Sequence, residues 1–103
     1  MPWIDAIATD DVDEGDVVRW DFQDETFVII HGEDGRFYCT AGRCTHQQVH
    51  LSGGFVIDNA IECPRHNGVF DYRSGKALRA PACIDLATFE TKVEGARVFV
   101  LIS

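Results

Sequence analysis

The segment Cys44-Thr45-His46 and, sixteen residues further on, Cys63-Pro64-Arg65-His66 decide how this sequence is read. Each offers one thiolate, a soft ligand, and one imidazole, a borderline one. Both sit where the chain must turn, with Ala41-Gly42-Arg43 ahead of the first and Asn67-Gly68 behind the second. Two such loops brought face to face supply two sulfur and two nitrogen donors. The residues between them have the form of a hairpin: Phe55-Val56-Ile57, then Asp58-Asn59, then Ala60-Ile61-Glu62. Asp-Asn accepts the positive φ of a tight turn.

Outward from these loops the dominant period is two. Val17 to Phe22 mixes apolar and charged residues, and Thr26-Phe27-Val28-Ile29-Ile30 is an apolar, β-branched run. Gly32-Glu33-Asp34-Gly35 interrupts it before Arg36-Phe37-Tyr38-Cys39, a hairpin signal. Val69 to Tyr72 and Ala77-Leu78-Arg79 flank a turn at Arg73-Ser74-Gly75-Lys76. Phe89 to Val93 returns through Glu94-Gly95 into Arg97 to Ile102, whose apolar character predicts burial. Helical signals are confined to Thr9-Asp10-Asp11, short polar side chains able to cap a single turn before Gly15. No repeat, low-complexity stretch or linker divides the chain. The expectation is one compact all-β domain over residues 1–103.

The chain has 103 residues, enough for one core and not for two. With 46% apolar residues and 11% aromatics, it has the composition of a folded protein. A formal charge of −8 argues against partners held through nucleic-acid phosphates or an anionic bilayer. The charge is lopsided: residues 1–34 hold eleven of the 17 acids against Arg19 alone, so residues 35–103 are mildly basic. Met1-Pro2-Trp3-Ile4-Asp5 lacks the positive start and apolar run of a secretory signal, and nothing approaches the roughly 20 apolar residues of a membrane span. The expected location is the cytoplasm, where cysteines serve metals, catalysis or packing more often than disulfides.

Two metal readings fit the donor set. One Zn²⁺ accepts two cysteines and two histidines in a tetrahedron. Zinc fingers usually pair like with like in each half, however, whereas each loop here mixes the two. In a two-iron cluster each iron needs two protein ligands, and like ligands from both loops can gather on one iron.

On these residues the chain resembles the Rieske [2Fe–2S] family. The pattern C-x-H, sixteen residues, C-x-x-H is joined by Leu51-Ser52-Gly53-Gly54, by Pro64 and Gly68, by Val69-Phe70-Asp71-Tyr72 with Gly75, and by Pro81 before the last hairpin. The resemblance covers most of the chain and is strongest to the Rieske ferredoxins of bacterial multicomponent ring-hydroxylating oxygenases. It implies an antiparallel β-sandwich base with a small inserted cluster-binding subdomain, about residues 41–80. It further implies that Cys44 and Cys63 hold an inner iron, that His46 and His66 hold an outer iron near the surface, and that Pro81 shields the cluster. The implied function is one-electron transfer from an NAD(P)H-dependent ferredoxin reductase to a terminal aromatic-ring oxygenase, without catalysis by this chain. Respiratory Rieske proteins, which are similar, add a disulfide between the loops and two hydroxyls on the cluster sulfurs. By position in the motif these fall at Val49 and Arg65, and at Gly68 and Phe70, where this sequence has neither. A potential low in the Rieske range, roughly −150 mV, follows.

Alternatives within reach of the sequence are the Rieske-like small subunit of an assimilatory nitrite reductase, many of which have lost the ligands, and a structural zinc module that binds a partner. Cys39 and Cys83, with Cys44 and Cys63, would make an all-cysteine site, since Cys39-x4-Cys44 echoes the plant-type spacing; the next cysteine of that pattern is replaced by Gln47. A buried thiol is the ordinary account of Cys39. His31 and His50 are expected to be structural. Arg65, between two candidate ligands, suits either solvent or partner contact. No carboxylate arrangement for mononuclear iron, no Ser/His/Asp set and no phosphate loop is present.

Overall fold

Residues 2–45, 48–65, 67–80 and 84–102 are described by a computed structural model. Among them, eleven strands form three antiparallel sheets. The strands are β1 (Trp3–Ala8), β2 (Asp16–Phe22), β3 (Glu25–His31), β4 (Phe37–Ala41), β5 (Phe55–Ile57), β6 (Ala60–Glu62), β7 (Val69–Asp71), β8 (Ala77–Arg79), β9 (Thr88–Phe89), β10 (Thr91–Glu94) and β11 (Arg97–Leu101). The sheet orders are β1-β11-β10, β2-β3-β4-β9 and β5-β6-β7-β8. Among the described residues helix is limited to two single 3-10 turns, Thr9–Asp11 and Leu51–Gly53.

The middle sheet organises the molecule, and β3 shows why. Its four consecutive residues Phe27–Ile30 are all buried, so the strand is covered on both faces. Because side chains alternate, Phe27 and Ile29 enter one core with Trp20, Val98 and Val100, whereas Val28 and Ile30 enter a second with Leu51, Ile61 and Phe70. The first core glues β3 to the sheet of β1, β10 and β11. The second glues it to β5–β8 and contains Cys44 and Cys63. One apolar run thus joins a sandwich to the sheet that carries the candidate ligands.

The turns follow local rules. Asp58 and Asn59 take φ of 51° and 65° between β5 and β6, the left-handed pair that a two-residue hairpin requires. Gly95 and Ala96 do the same between β10 and β11. In β11 only Val98 and Val100 are fully buried, so the last strand is half-covered rather than submerged. Of the outward-facing residues on the β5–β8 sheet, Phe55 and Ile57 are exposed and the register aligns Phe55, Glu62, Val69 and Arg79 in one row.

Candidate metal centre

The first loop leaves β4 and closes on itself. Arg43 and His50 form an isolated antiparallel bridge at its neck. Above the neck the Cys44 N–H donates to the Val49 carbonyl at 2.8 Å, and the Gln48 N–H donates to the Cys44 carbonyl at 2.9 Å. The neck is seated on β3 by the Gly42 N–H, which donates to the Thr26 carbonyl at 3.0 Å. Glycine is needed there: a Cβ on Gly42 would lie 2.9 Å from the Phe27 nitrogen and 2.8 Å from His50 Nε2.

The second loop joins β6 to β7. The Cys63 N–H donates to the Gly68 carbonyl at 2.7 Å, and Asn67 takes a φ of 58° to make the return. Arg79, one strand further out, braces it by donating to the Asn67 carbonyl at 3.0 Å and to Glu62 Oε1 at 3.1 Å. A third segment is tied in as well, since the Thr45 hydroxyl donates to the Ile84 carbonyl at 2.6 Å.

Cys44 and Cys63 are thereby brought together, 2% and 1% exposed, from loops nineteen residues apart in sequence. Burial pushes the Cys63 thiol above its ordinary pKa, and the hydrogen-bonded Cys44 thiol adds to the rise. The Arg65 backbone N–H, donated to the same sulfur, and the Arg65 charge work the other way. Two adjacent sulfur donors with a backbone donor on one of them form a pocket able to hold a metal once deprotonated. His46 and His66 lie outside the described residues, as do Pro81 and Cys83. Among the described residues no group of three or more His, Cys, Asp or Glu side chains gathers around a point.

The remaining candidates separate cleanly. Cys39 is 1% exposed in the other core, and burial pushes its thiol up to about 12. Its place on the opposite face of the middle sheet removes it from the Cys44–Cys63 pocket, so the plant-type spacing has no structural counterpart. His31 stacks on Phe37 at 4.1 Å and has Nδ1 3.0 Å from the Val12 carbonyl, a structural role. His50 is half-buried and hydrogen-bonded at both ring nitrogens. Arg65 is exposed. Thr26, Thr45 and Arg79, which hold the loops in place, carry no local sequence signal, because each partner lies 12 or more residues away.

Residues 2–90 match the family described as Rieske [2Fe-2S] domain. The chain is 40% identical over 98 residues to the ferredoxin component of naphthalene 1,2-dioxygenase/salicylate 5-hydroxylase systems from Ralstonia sp., covering 95% of this chain and 93% of that one. It is 38% identical over 103 residues to the ferredoxin component of the naphthalene 1,2-dioxygenase system from Pseudomonas putida, covering 100% and 98% respectively. Among solved structures, a chain from a complex of reduced oxygenase and oxidized ferredoxin in carbazole 1,9a-dioxygenase superposes with a TM-score of 0.88 at 29% identity, covering 95% of this chain and 91% of that one.

Proposed function

The chain belongs to the Rieske [2Fe–2S] domain family, and from that premise we propose that it is the one-electron carrier of a ring-hydroxylating dioxygenase system. It takes electrons from an NAD(P)H-dependent ferredoxin reductase, gives them to a terminal aromatic-ring oxygenase, and catalyses nothing itself. The observation that carries this reading is the meeting of the Cys44 and Cys63 thiols in the second core, at the end of the β5–β8 sheet. Residues 41–80 are assigned as the cluster-binding subdomain, Cys44 and Cys63 as ligands of an inner iron, and His46 and His66 as ligands of an outer one. The cytoplasm, with its pool of reduced nicotinamide, is the assigned location; among the described residues no helix is long and apolar enough to cross a membrane.

The donor set fits the cofactor. Thiolates from two loops and imidazoles from the same two loops are the Rieske complement, and the cluster so bound supplies a reversible one-electron couple. The chain's own residues do the rest. Leu51, Ile61, Phe70 and Tyr72 share one buried apolar cluster with the two cysteines, which excludes water from that side of the site. The backbone bonds from Cys44 to Val49 and from Cys63 to Gly68 fix where each sulfur points. Val49, Gly68 and Phe70 offer no hydroxyl or thiol to the site, and the 0% exposed Phe70 ring occupies the second core with the two cysteines. Missing hydrogen bonds to sulfur disfavour the electron-rich state and keep the potential low in the Rieske range.

The test is EPR of the purified protein after reduction with dithionite. A mixed-ligand [2Fe–2S] signal, together with turnover when reductase and oxygenase components are supplied, is the expected result. A colourless, EPR-silent protein carrying zinc, or a spectrum of the all-cysteine type, overturns the reading.

A further inference from the structure

We propose that His50 is a positioning residue, whose imidazole clamps the first cysteine–histidine loop to strand β3 through the hydroxyl of Thr26. The inference rests on the reading above only in taking that loop as part of the redox site. His50 stands at the loop's neck, bridged to Arg43, so whatever fixes His50 fixes both ends of the loop against the middle sheet.

The hydrogen bonds around the ring admit one consistent direction. The Ser52 backbone N–H is 3.1 Å from Nδ1 and has no other role to play than donor. Nδ1 therefore presents a lone pair, which the Ser52 hydroxyl at 2.9 Å also addresses. The ring proton then sits on Nε2, 2.8 Å from Thr26 Oγ1, and is donated to it. Thr26 in turn donates to Asp21 Oδ1 at 2.5 Å, and Asp21 accepts from Arg19 Nε at 3.0 Å. Every group in this chain, from Ser52 to Arg19, has a partner of the right polarity.

The charges that face the ring agree with a neutral imidazole. Burial lowers the His50 pKa first, and Arg19 on β2 and Arg43 across the neck lower it further, against the opposing Asp21. The backbone is also cleared for this side chain, because Gly42 is the residue on which a Cβ would meet Nε2 at 2.8 Å. A cap on the 3-10 turn alone would use Nδ1 and leave Nε2 free; here Nε2 reaches out of the loop to strand β3.

Two substitutions divide the two functions of the ring. In His50→Asn the amide oxygen replaces Nδ1 and keeps the cap, but nothing reaches Thr26. In His50→Gln the longer amide carries its N–H to the position of Nε2 and keeps the clamp. Thr26→Val removes the hydroxyl while leaving a β-branched side chain suited to a strand. The measurement is hydrogen exchange by mass spectrometry on the holo protein, read at the Cys44 and Gln48 amides with the β10–β11 hairpin as internal reference. The EPR line shape of the reduced protein is recorded alongside.

Losing the neutral Thr26–His50 bond should speed loop exchange about fivefold in Thr26→Val and His50→Asn, with the reference hairpin unchanged and the EPR features broadened. The Thr26–Asp21 bond that Thr26→Val also removes lies within the β2–β3 hairpin and touches no loop residue. His50→Gln should stay within twofold of wild type, and adding Thr26→Val to His50→Asn should bring no further change. Wild-type exchange in both Thr26→Val and His50→Asn overturns the clamp, as does equal damage from Asn and Gln. Failure of the functional reading shows separately, as the absence of a mixed-ligand signal from the wild-type protein.

Discussion

Replacing Gly54 with alanine should damage the fold and the candidate site together. Gly54 ends the Leu51–Gly53 turn and leads into β5, with φ −88° and ψ −166°, values that alanine adopts freely. Any cost is therefore steric. An added Cβ would lie 2.1 Å from the Glu62 carbonyl oxygen, whereas ordinary contact begins at 3.4 Å, so β5 must retreat from β6 by about 1.3 Å. Hydrogen bonds span roughly 2.7–3.2 Å, and that retreat breaks the Phe55–Glu62 pairing, one of only three residue pairs joining the two strands. Overpacking strain of about 2 kcal/mol and one lost ladder bond of about 1 kcal/mol give a destabilisation near 3 kcal/mol. For a domain of this size that corresponds to a fall in Tm on the order of 15 °C. Because Glu62 immediately precedes Cys63, the same displacement moves a candidate ligand, and the bound cluster should bleach during purification. Gly53 supplies the control: a Cβ there would meet Pro64 Cγ at 3.8 Å, an ordinary contact, and Gly53→Ala should stay within about 0.5 kcal/mol of wild type. Thermal unfolding followed by circular dichroism, with visible absorbance for the cluster, reads both. A Gly54→Ala protein within 1 °C of wild type, or equal losses from the two variants, refutes the steric argument.

Three further outcomes follow from the site. Cys44→Ser and Cys63→Ser should each abolish the visible spectrum, whereas Cys39→Ala should retain it at a cost of about 1 kcal/mol in stability; iron content and urea unfolding check this. The folded pKa of His50 lies below its unfolded value near 6.5, so the stability it confers is complete above that pH and is lost as pH falls through the folded pKa; denaturant midpoints between pH 5 and 7.5 should show a slope that His50→Gln removes. Voltammetry should give a potential of roughly −150 mV at neutral pH that falls in alkaline solution as the candidate ligand imidazoles of His46 and His66 lose their one remaining N–H proton, and a value well above zero contradicts the low-potential assignment.

Most of this architecture was written in local signals, and the exceptions have physical causes. The continuous run Thr26–Ile30 announced a strand, and Asp58-Asn59 announced its hairpin, because burial on two faces and positive φ both demand particular residues. The first strand, Trp3–Ala8, carried no such announcement: a bulge between Asp5 and Ile7 breaks its alternation, and its partner β11 is some 90 residues away. The turn between β2 and β3 was equally silent, since the residue at φ 55° is Gln23 where a hairpin code favours glycine or asparagine. At the site the same division holds. Cys44 and Cys63 stood out by spacing, but spacing also made Cys39 a candidate. Only the alternation of β4, which turns Cys39 into the core of Phe27 and Ile29, removes it. The Thr26–His50 contact spans 24 residues and joins the first loop to the middle sheet, so neither residue declared it.

The acidic N-terminal third is not a uniform face turned away from the site. The β2–β3 hairpin divides it. At one end, where Asp16 pairs with His31, lie Asp13, Glu14, Glu33 and Asp34. At the other, where Phe22 pairs with Glu25, residues Asp21, Asp24 and Glu25 line a groove with Thr45 and Gln48 of the first loop. Arg19 neutralises Asp21, and among the described residues Asp24 and Glu25 have no ion pair. Six residues of strand separate the two ends, about 20 Å, against a Debye length of about 10 Å at 0.1 M salt. Steering by a whole-molecule dipole is therefore screened at physiological salt, and the charges that a docking partner meets are the near pair. In water a unit charge about 10 Å away is worth roughly 0.4 kcal/mol, so Asp24→Asn with Glu25→Gln should change the rate of electron transfer about fourfold at low salt. The change should fade above 0.2 M salt, and its sign reports the charge of the partner's approaching surface. The far pair, Asp13→Asn with Glu14→Gln, should alter the rate less than 1.5-fold at 0.1 M salt, a bound set by the same screening. Stopped-flow reduction of the oxygenase component by the reduced protein measures both, and equal effects from the two pairs would restore the dipole and refute the local account.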